Sequence, residues 1–316
     1  MFPISSNSNS TIRLDRRKFM AASAGLIAAG ILPKNVMALA GPYMFKQGAY
    51  DVTVVSDGTL LLPTSLFDSG GKPEEVIKLL GAMVQGDKAQ FEASPLLLKS
   101  GSEMILMDTG SGGGFQPTAG KVLESLKAAG VDPSAITKVI FTHAHPDHCW
   151  GTIGKDGKPV FSKATFHMGE TEWNFWVNPE LESKMPKEMG GMVKGTQGQL
   201  GALKDQIKLF KTGAEVLPGI MALDTSGHTP GHVSFELSGG DGLIVTGDAI
   251  TNPLFFMHPD WKFAFDADHA TAIANRKKLL DMASTGKKKM LGYHWPYPGL
   301  GMAEKKDSAY VYVPTA

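Results

Sequence analysis

Apolar positions in this chain come in short runs separated by turn residues. Residues 50–55 alternate around Val52 and Val54 and meet Asp57-Gly58, a hairpin turn signal, before a second apolar run at 60–62. Residues 96–99 and 104–107 read as two more strands, with Ser100-Gly101-Ser102 turning between them and Asp108-Thr109-Gly110 closing the second. Helical periodicity sets in over 118–129, where Val122, Leu123, Leu126 and Ala129 share a face and Gly130 supplies the stop. Strands are expected at 138–142, 164–168, 207–210, 220–223, 232–237 and 243–246, the last two joined through Ser238-Gly239-Gly240-Asp241-Gly242. Asp268 is placed to cap a helix running to residue 282, with Ala270, Ile273, Ala274 and Leu280 inward. Strands at 290–293 and 310–313 complete the set. Residues 169–204 have few β-branched positions and hold Trp173, Phe175 and Trp176, so they read as a helical insertion that can cover a site.

This order predicts two packed sheets flanked by helices, not the strict βαβ alternation of a doubly wound fold. The Gly-rich loop at 110–114 is not followed by G-K-[ST], and no G-x-G-x-x-G opens a helix, so nucleotide binding is not indicated.

The first forty residues follow a different logic. Arg16 and Arg17 precede Phe19, an apolar stretch fills 21–32, and Ala38-Leu39-Ala40 forms a cleavage site. This predicts a twin-arginine-type signal peptide over 1–40 and a single mature domain over 41–316. The expected route is the export machinery for folded proteins, ending in the periplasm or outside the cell, with no membrane anchor after cleavage. The apolar stretch is too short to span a bilayer.

Composition narrows the function classes. Lys plus Arg and Asp plus Glu are both 31, so the chain has no basic footprint for nucleic acid. The leader carries five basic residues and one acidic, which leaves 26 and 30 in the mature part and a net charge of −4. Apolar residues at 42% and charged residues at 20% exclude disorder. One cysteine, Cys149, excludes an intramolecular disulfide framework and a Cys-rich zinc module. The partner indicated is a small-molecule substrate.

The chemistry concentrates in Thr142-His143-Ala144-His145-Pro146-Asp147-His148, four metal-competent side chains within six residues at a strand end. In extended chain His143 and His145 project to the same side. Pro146 then bends the backbone, so Asp147 and His148 aim at a second point. Three more candidates sit at other strand ends: His228 in Gly227-His228-Thr229-Pro230-Gly231-His232, Asp248 in Thr246-Gly247-Asp248, and His294 in Gly292-Tyr293-His294. His232 reads as a buried, hydrogen-bonded supporter. His167, His258 and His269 read as ordinary histidines, and Cys149 as a small apolar residue packed under the site.

These motifs, H-x-H-x-D-H followed by distant His, Asp and His, resemble the metallo-β-lactamase superfamily. The resemblance runs from Asp108 to His294. It implies an αββα sandwich, with two mixed β-sheets flanked by helices and a site at the sheet edge. It further implies two divalent metal ions: His143, His145 and His228 on one, Asp147, His148 and His294 on the other, and Asp248 bridging. The all-N,O donor set suits Zn²⁺ and is open to Mn, Fe or Co. Asp108 would orient the ligand loop from behind. A hydroxide bridging two such ions hydrolyses an ester, lactone, amide or phosphoester without a Ser or Cys nucleophile, with Asp147 and Asp248 in the catalytic roles.

Within the superfamily, the segments Val54-Val55-Ser56-Asp57-Gly58-Thr59, Met107-Asp108-Thr109-Gly110, Phe115 with Pro117-Thr118, and His294 with Pro298-Gly299-Leu300-Gly301 resemble methyl parathion hydrolase-like enzymes. There, aromatics matching Phe115 and Trp176 line the leaving-group pocket, and a homodimer is implied. The loops near Phe115 and Phe255-Phe256, with the insertion, are expected to set specificity. The acyl-homoserine lactonase branch has a Tyr three residues after the bridging Asp; here that position is Thr251. Three alternatives remain: a quorum-quenching lactonase, a mono-iron enzyme like the persulfide dioxygenases, and a non-catalytic metal-binding protein.

Overall fold

The computed structural model describes residues 39–316. The leader expected at 1–40 lies almost wholly outside them. Two seven-stranded sheets dominate the described residues. The first runs in the order Tyr43–Gln47, Tyr50–Val54, Leu96–Ser100, Glu103–Met107, Lys138–Ile140, Thr165–Gly169, Ile207–Phe210. Its first four strands are antiparallel neighbours; from Glu103–Met107 onward the pairing is parallel. The second runs Glu215–Leu217, Ile220–Asp224, Val233–Leu237, Leu243–Val245, Lys289–Leu291, Leu300–Lys306, Ala309–Pro314, with one parallel pair between Leu243–Val245 and Lys289–Leu291. Parallel neighbours need a crossover, and helix His269–Thr285 supplies it for the second sheet.

Strand alternation divides each sheet between two cores. Val52, Val54, Leu96, Leu98, Ile105 and Met107 face Ile220, Ala222, Val233, Phe235 and Val245 of the other sheet. Leu97, Leu106, Val139 and Phe166 turn the other way and pack on Val122, Leu126, Trp176, Val193 and Leu200. On the far side, Ile244 and Met290 meet Leu279, Leu280 and Ala283. The layers are therefore helix, sheet, sheet, helix, the αββα order expected. Each such Leu, Ile or Phe removed from water contributes about 1.5–3 kcal/mol.

Several local expectations are corrected. Asp57-Gly58 is not a hairpin turn: Tyr50–Val54 pairs with Leu96–Ser100, while Gly58–Pro63 leaves for a small sheet with Lys88–Ala93 and Val84–Gln85. Gly58 sits at φ +95°, and a Cβ there would lie 2.2 Å from the Thr118 carbonyl oxygen, so the corner admits only glycine. Strands Tyr43–Gln47, Lys88–Ala93 and Leu300–Lys306 escaped the reading, although Lys88–Ala93 alternates, with Ala89, Phe91 and Ala93 inward. Helix Val122–Ala128 buries Val122, Ser125 and Leu126 but leaves Leu123 exposed. Asp268 does cap its helix, accepting from the Ala270 and Thr271 amides. Its inward face, however, is Ala272, Arg276, Leu279, Leu280 and Ala283, and Ala270 and Ala274 are exposed. A buried arginine reversed that assignment. Phe255 and Phe256 form no specificity loop; both are fully buried in helix Leu254–Met257. Residues 169–204 carry helices Glu170–Trp176, Leu181–Lys184 and Gly190–Gly201.

Candidate metal centre

The seven candidate ligands leave the strand ends of both sheets and meet at one edge of the sandwich. His143 and His145 follow strand Lys138–Ile140. Pro146 is the first residue of the helical turn Pro146–Cys149, where a missing N–H is harmless, and the turn carries Asp147 and His148 back toward the site. His228 and Asp248 follow the strands Ile220–Asp224 and Leu243–Val245, and His294 follows Lys289–Leu291. His143, His145, His228 and Asp248 form one group with donor atoms within 4.8 Å of one another; Asp147, His148 and His294 form another.

Four of the five imidazoles are oriented from behind. His148 Nδ1 donates to Asp108 Oδ2 at 2.8 Å, His228 Nδ1 to Asp266 Oδ1 at 3.1 Å, and His294 Nδ1 to the Glu92 carbonyl at 2.7 Å. The Thr142 hydroxyl donates to Asp108 Oδ2 at 2.8 Å, so its oxygen accepts from His143 Nδ1 at 3.1 Å. With the Nδ1 protons committed, the Nε2 atoms of all four rings present lone pairs to the same space. His145 Nδ1 lies 3.0 Å from His143 Nε2 and 2.9 Å from His228 Nε2. His148 Nε2 and Asp248 Oδ1, 3.3 Å apart, are both buried without a hydrogen-bond partner. His228 Nε2 and His294 Nε2 lie 3.2 and 3.4 Å from Asp248 oxygens, and His294 Nε2 lies 3.2 Å from Asp147 Oδ2. Lone pairs facing carboxylates at this range repel unless a cation lies between them. Tetrahedral bonds of about 2.0–2.1 Å place ligand atoms roughly 3.3 Å apart, the spacing seen here. The donor set fits divalent metal.

The electrostatics agree. Burial and the neighbouring imidazoles push His143 well below its ordinary value and His145 down to about 3. Burial also opposes charge on His228 and His294, but Asp248 and their carboxylate neighbours outweigh it and raise them to about 9 and about 10. His148 is likewise held well up by Asp248, Asp147 and Asp108. Without a cation, the carboxylates draw protons onto these imidazoles in its place.

Asp108 is both a turn and a support: its backbone sits at φ +62°, and its carboxylate also accepts from the Thr142 amide at 2.9 Å. His232 accepts from the Asp248 amide at 2.9 Å and in turn donates to Thr225 Oγ1, also at 2.9 Å. Cys149 is fully buried, its thiol donating to the Ala144 carbonyl.

The sequence matches the profile of the Metallo-beta-lactamase superfamily over residues 91–294, a span that holds all seven candidate ligands. The chain belongs to that superfamily. Hydrolase AbOPH of the beta lactamase superfamily is a similar solved structure, 29% identical, covering 89% of this chain and 99% of that one, with a TM-score of 0.82. AidC, described as a dizinc quorum-quenching lactonase in complex with a product, is 28% identical over 88% of this chain and 98% of its own, with a TM-score of 0.81. Among curated proteins, the uncharacterized protein YobT of Bacillus subtilis (strain 168) is 24% identical over 51% of this chain, and the match spans 63% of its length. This superfamily member is a hydrolase with a His/Asp cluster fit to hold divalent metal.

The cluster opens into a cavity walled by Leu60, Leu62, Phe115, Met192, Phe263 and Phe265, with Thr251 beside Asp248. Phe115 stands where expected. Trp176 does not: it is fully buried, its Nε1 donates to Glu172 Oε1 at 2.7 Å, and its ring packs edge-on against His145. It lines a second, smaller cavity on the far side of His145, His228 and Phe265, with Phe175, Met185 and Met189. The insertion thus reaches the site from both directions.

Sequence reasoning missed Glu172, Asp266 and Arg276. Asp266 accepts from His228 and from buried Arg276 at 3.2 Å, whose guanidinium also donates to the carbonyls of Ala249, Pro259 and Trp261. A carboxylate four residues before Trp176 was the one available signal for Glu172; Asp266 offered none. Tyr293 was read only as a strand residue. It stacks on His148 at 3.9 Å and its hydroxyl donates to the Asp147 carbonyl at 2.7 Å.

Proposed function

We propose that this chain is a binuclear metal-dependent hydrolase of small neutral ester-like substrates: phosphotriesters, aryl or carboxyl esters, or lactones. One observation carries this reading. Seven donors converge, six buried and His145 half-buried, with lone pairs and carboxylates aimed at a common space, beneath a wall of apolar side chains. Among the described residues no Lys or Arg lines that cavity, so nothing there favours an anionic substrate. Divalent ions held by His143, His145, His228 and Asp248, and by Asp147, His148, His294 and Asp248, would lower the pKa of a coordinated water and polarise the carbonyl or phosphoryl oxygen. Zn²⁺ suits the donors best.

The chain's own residues do the rest. Asp147 borders the cavity and is the carboxylate placed to take a proton from an attacking water. Tyr293 fixes its backbone. Leu60, Leu62, Phe263 and Phe265 exclude bulk water and strengthen every charge interaction inside. Phe115 offers an aromatic face to an aryl or acyl group.

A lactone-directed reading is favoured by the likeness to AidC, a quorum-quenching lactonase. Thr251 in place of the lactonase branch's Tyr counts against it. The test is metal content of the purified chain together with hydrolysis of a matched aryl ester, phosphotriester and lactone panel. The proposal expects about two ions per chain, activity lost on chelation and regained with Zn²⁺, Mn²⁺ or Co²⁺. Full activity in metal-free protein would overturn it. The proposal includes export through the leader, cleavage before Gly41 and a homodimer in solution; N-terminal sequencing and light scattering test these.

A further inference from the structure

Glu172 is a fully buried carboxylate with no described hydrogen bond to a ligand side chain, yet it is bonded to two of the ligand loops. Oε1 accepts from the Ala144 amide at 2.9 Å and from Trp176 Nε1 at 2.7 Å. Oε2 accepts from the Thr229 hydroxyl at 2.7 Å and from the Gly231 amide at 3.1 Å. Ala144 separates His143 from His145. Thr229 follows His228. One carboxyl group therefore spans the backbones that deliver three of the four donors of the first group. The packing enforces the same spacing: a Cβ on Gly231 would lie 2.1 Å from the Glu172 amide nitrogen, so the 228–232 loop sits flush on helix Glu170–Trp176. A second brace from the insertion, the Thr196 hydroxyl, donates to the Ala144 carbonyl at 3.2 Å.

The second group is held by other means. Asp108 orients His148, Tyr293 holds the Asp147 backbone, and the Glu92 carbonyl orients His294. No described hydrogen bond joins Glu172 to Asp147, His148 or His294.

We infer that Glu172 is the positioning residue that sets the separation of His145 from His228, and hence the affinity of the first metal position but not the second. The inference rests on the reading of the cluster as a binuclear metal centre. All four partners of Glu172 are donors, so a carboxylate satisfies them and an amide does not: in Glu172→Gln the NH₂ group would face two of them. Thr229→Val removes one donor on the ligand-loop side with little change of volume.

The test is titration of Co²⁺ into metal-free protein against a competing chelator, followed by visible absorption, with melting temperatures of the metal-free forms alongside. The parent is expected to bind two Co²⁺ per chain. Glu172→Gln should bind one as tightly as the parent and the other about 10–100-fold more weakly. Thr229→Val should weaken the same ion by a smaller factor, and it decides the matter alone if Glu172→Gln does not fold. A purely structural role would lower both melting temperatures and leave both affinities unchanged, which overturns the inference while the metal centre stands. Equal weakening of both ions overturns it too. A parent that binds no Co²⁺ overturns the metal-centre reading itself.

Discussion

The ligand cluster and the cavity wall above it are built on opposite principles. In the cluster, most ligands have a hydrogen-bonded partner behind them: Asp108 for His148, Asp266 for His228, the Glu92 carbonyl for His294, and His232 for the Asp248 backbone. In the wall, Leu60, Leu62, Phe115, Met192, Phe263 and Phe265 come from four separate stretches of chain and meet by apolar contact. A directional network tolerates little replacement, because each lost partner strands a buried polar atom. An apolar wall can be repacked, because dispersion and burial carry no direction. The difference teaches that chemistry and specificity can change independently in this molecule.

The sharpest way to break that comparison is at Asp248, which faces both groups. Asp248→Asn should cost metal and rate together, by more than the roughly 100-fold expected for any supporting partner. Elemental analysis beside initial rates checks this, and full metal with full rate would undo the assignment. Next comes the buried ion pair behind His228. Arg276→Met leaves the buried Asp266 carboxylate with only the His228 ring beside it, and a loss of about 3–5 kcal/mol is expected in denaturant unfolding. Asp108→Asn should weaken metal binding by about 10–100-fold while leaving the order of preference among esters, phosphotriesters and lactones unchanged. A changed order would show that cluster and wall are coupled.

A pH series sharpens the same contrast. In metal-free protein His228 and His294 titrate at about 9 and about 10, above the usual histidine range. Raised pKa values of this kind stabilise the fold fully below about 6.5, and that contribution is lost as pH rises through 9 and 10. The melting temperature of the metal-free chain should therefore fall between pH 7 and pH 10, and loading with metal should flatten the fall. The smallest effect is expected at the wall. Phe115→Ala removes half-buried aromatic surface, so KM should rise about five- to tenfold for aryl substrates, with kcat and metal content kept.

The two regions also differ in how far they could be read. His143, His145, Asp147 and His148 were legible because all four stand in one strand-end segment, where spacing alone implies convergence. His228, Asp248 and His294 were legible only as members of a familiar order of motifs. The adjacent aromatics Phe255 and Phe256 looked like a pocket rim and are core. Leu60 was legible only as part of an apolar run and Met192 only as part of the insertion, and both line the cavity. Apolar residues of a strand or helix look alike whether they face a core or a pocket, since burial is decided by what packs opposite. Arg276 was given no role in the sequence, and the Asp266 carboxylate with three backbone carbonyls makes the interior acceptable for its charge.

What the amino-acid order determined by itself is the local grammar. It set the strand and helix periods, the turn at Ser100-Gly101-Ser102, the Asp268 cap and the dense His/Asp segment whose donors have no use except together. Tertiary structure alone decided the rest. It chose the corner at Gly58 over a hairpin, the side of His145 on which Trp176 lies, and the pairing of Asp266 with both His228 and Arg276. It also set Glu172 between two ligand loops. The reason is physical: periodicity reports which face of one element is apolar, whereas each of these outcomes depends on a contact between elements tens of residues apart.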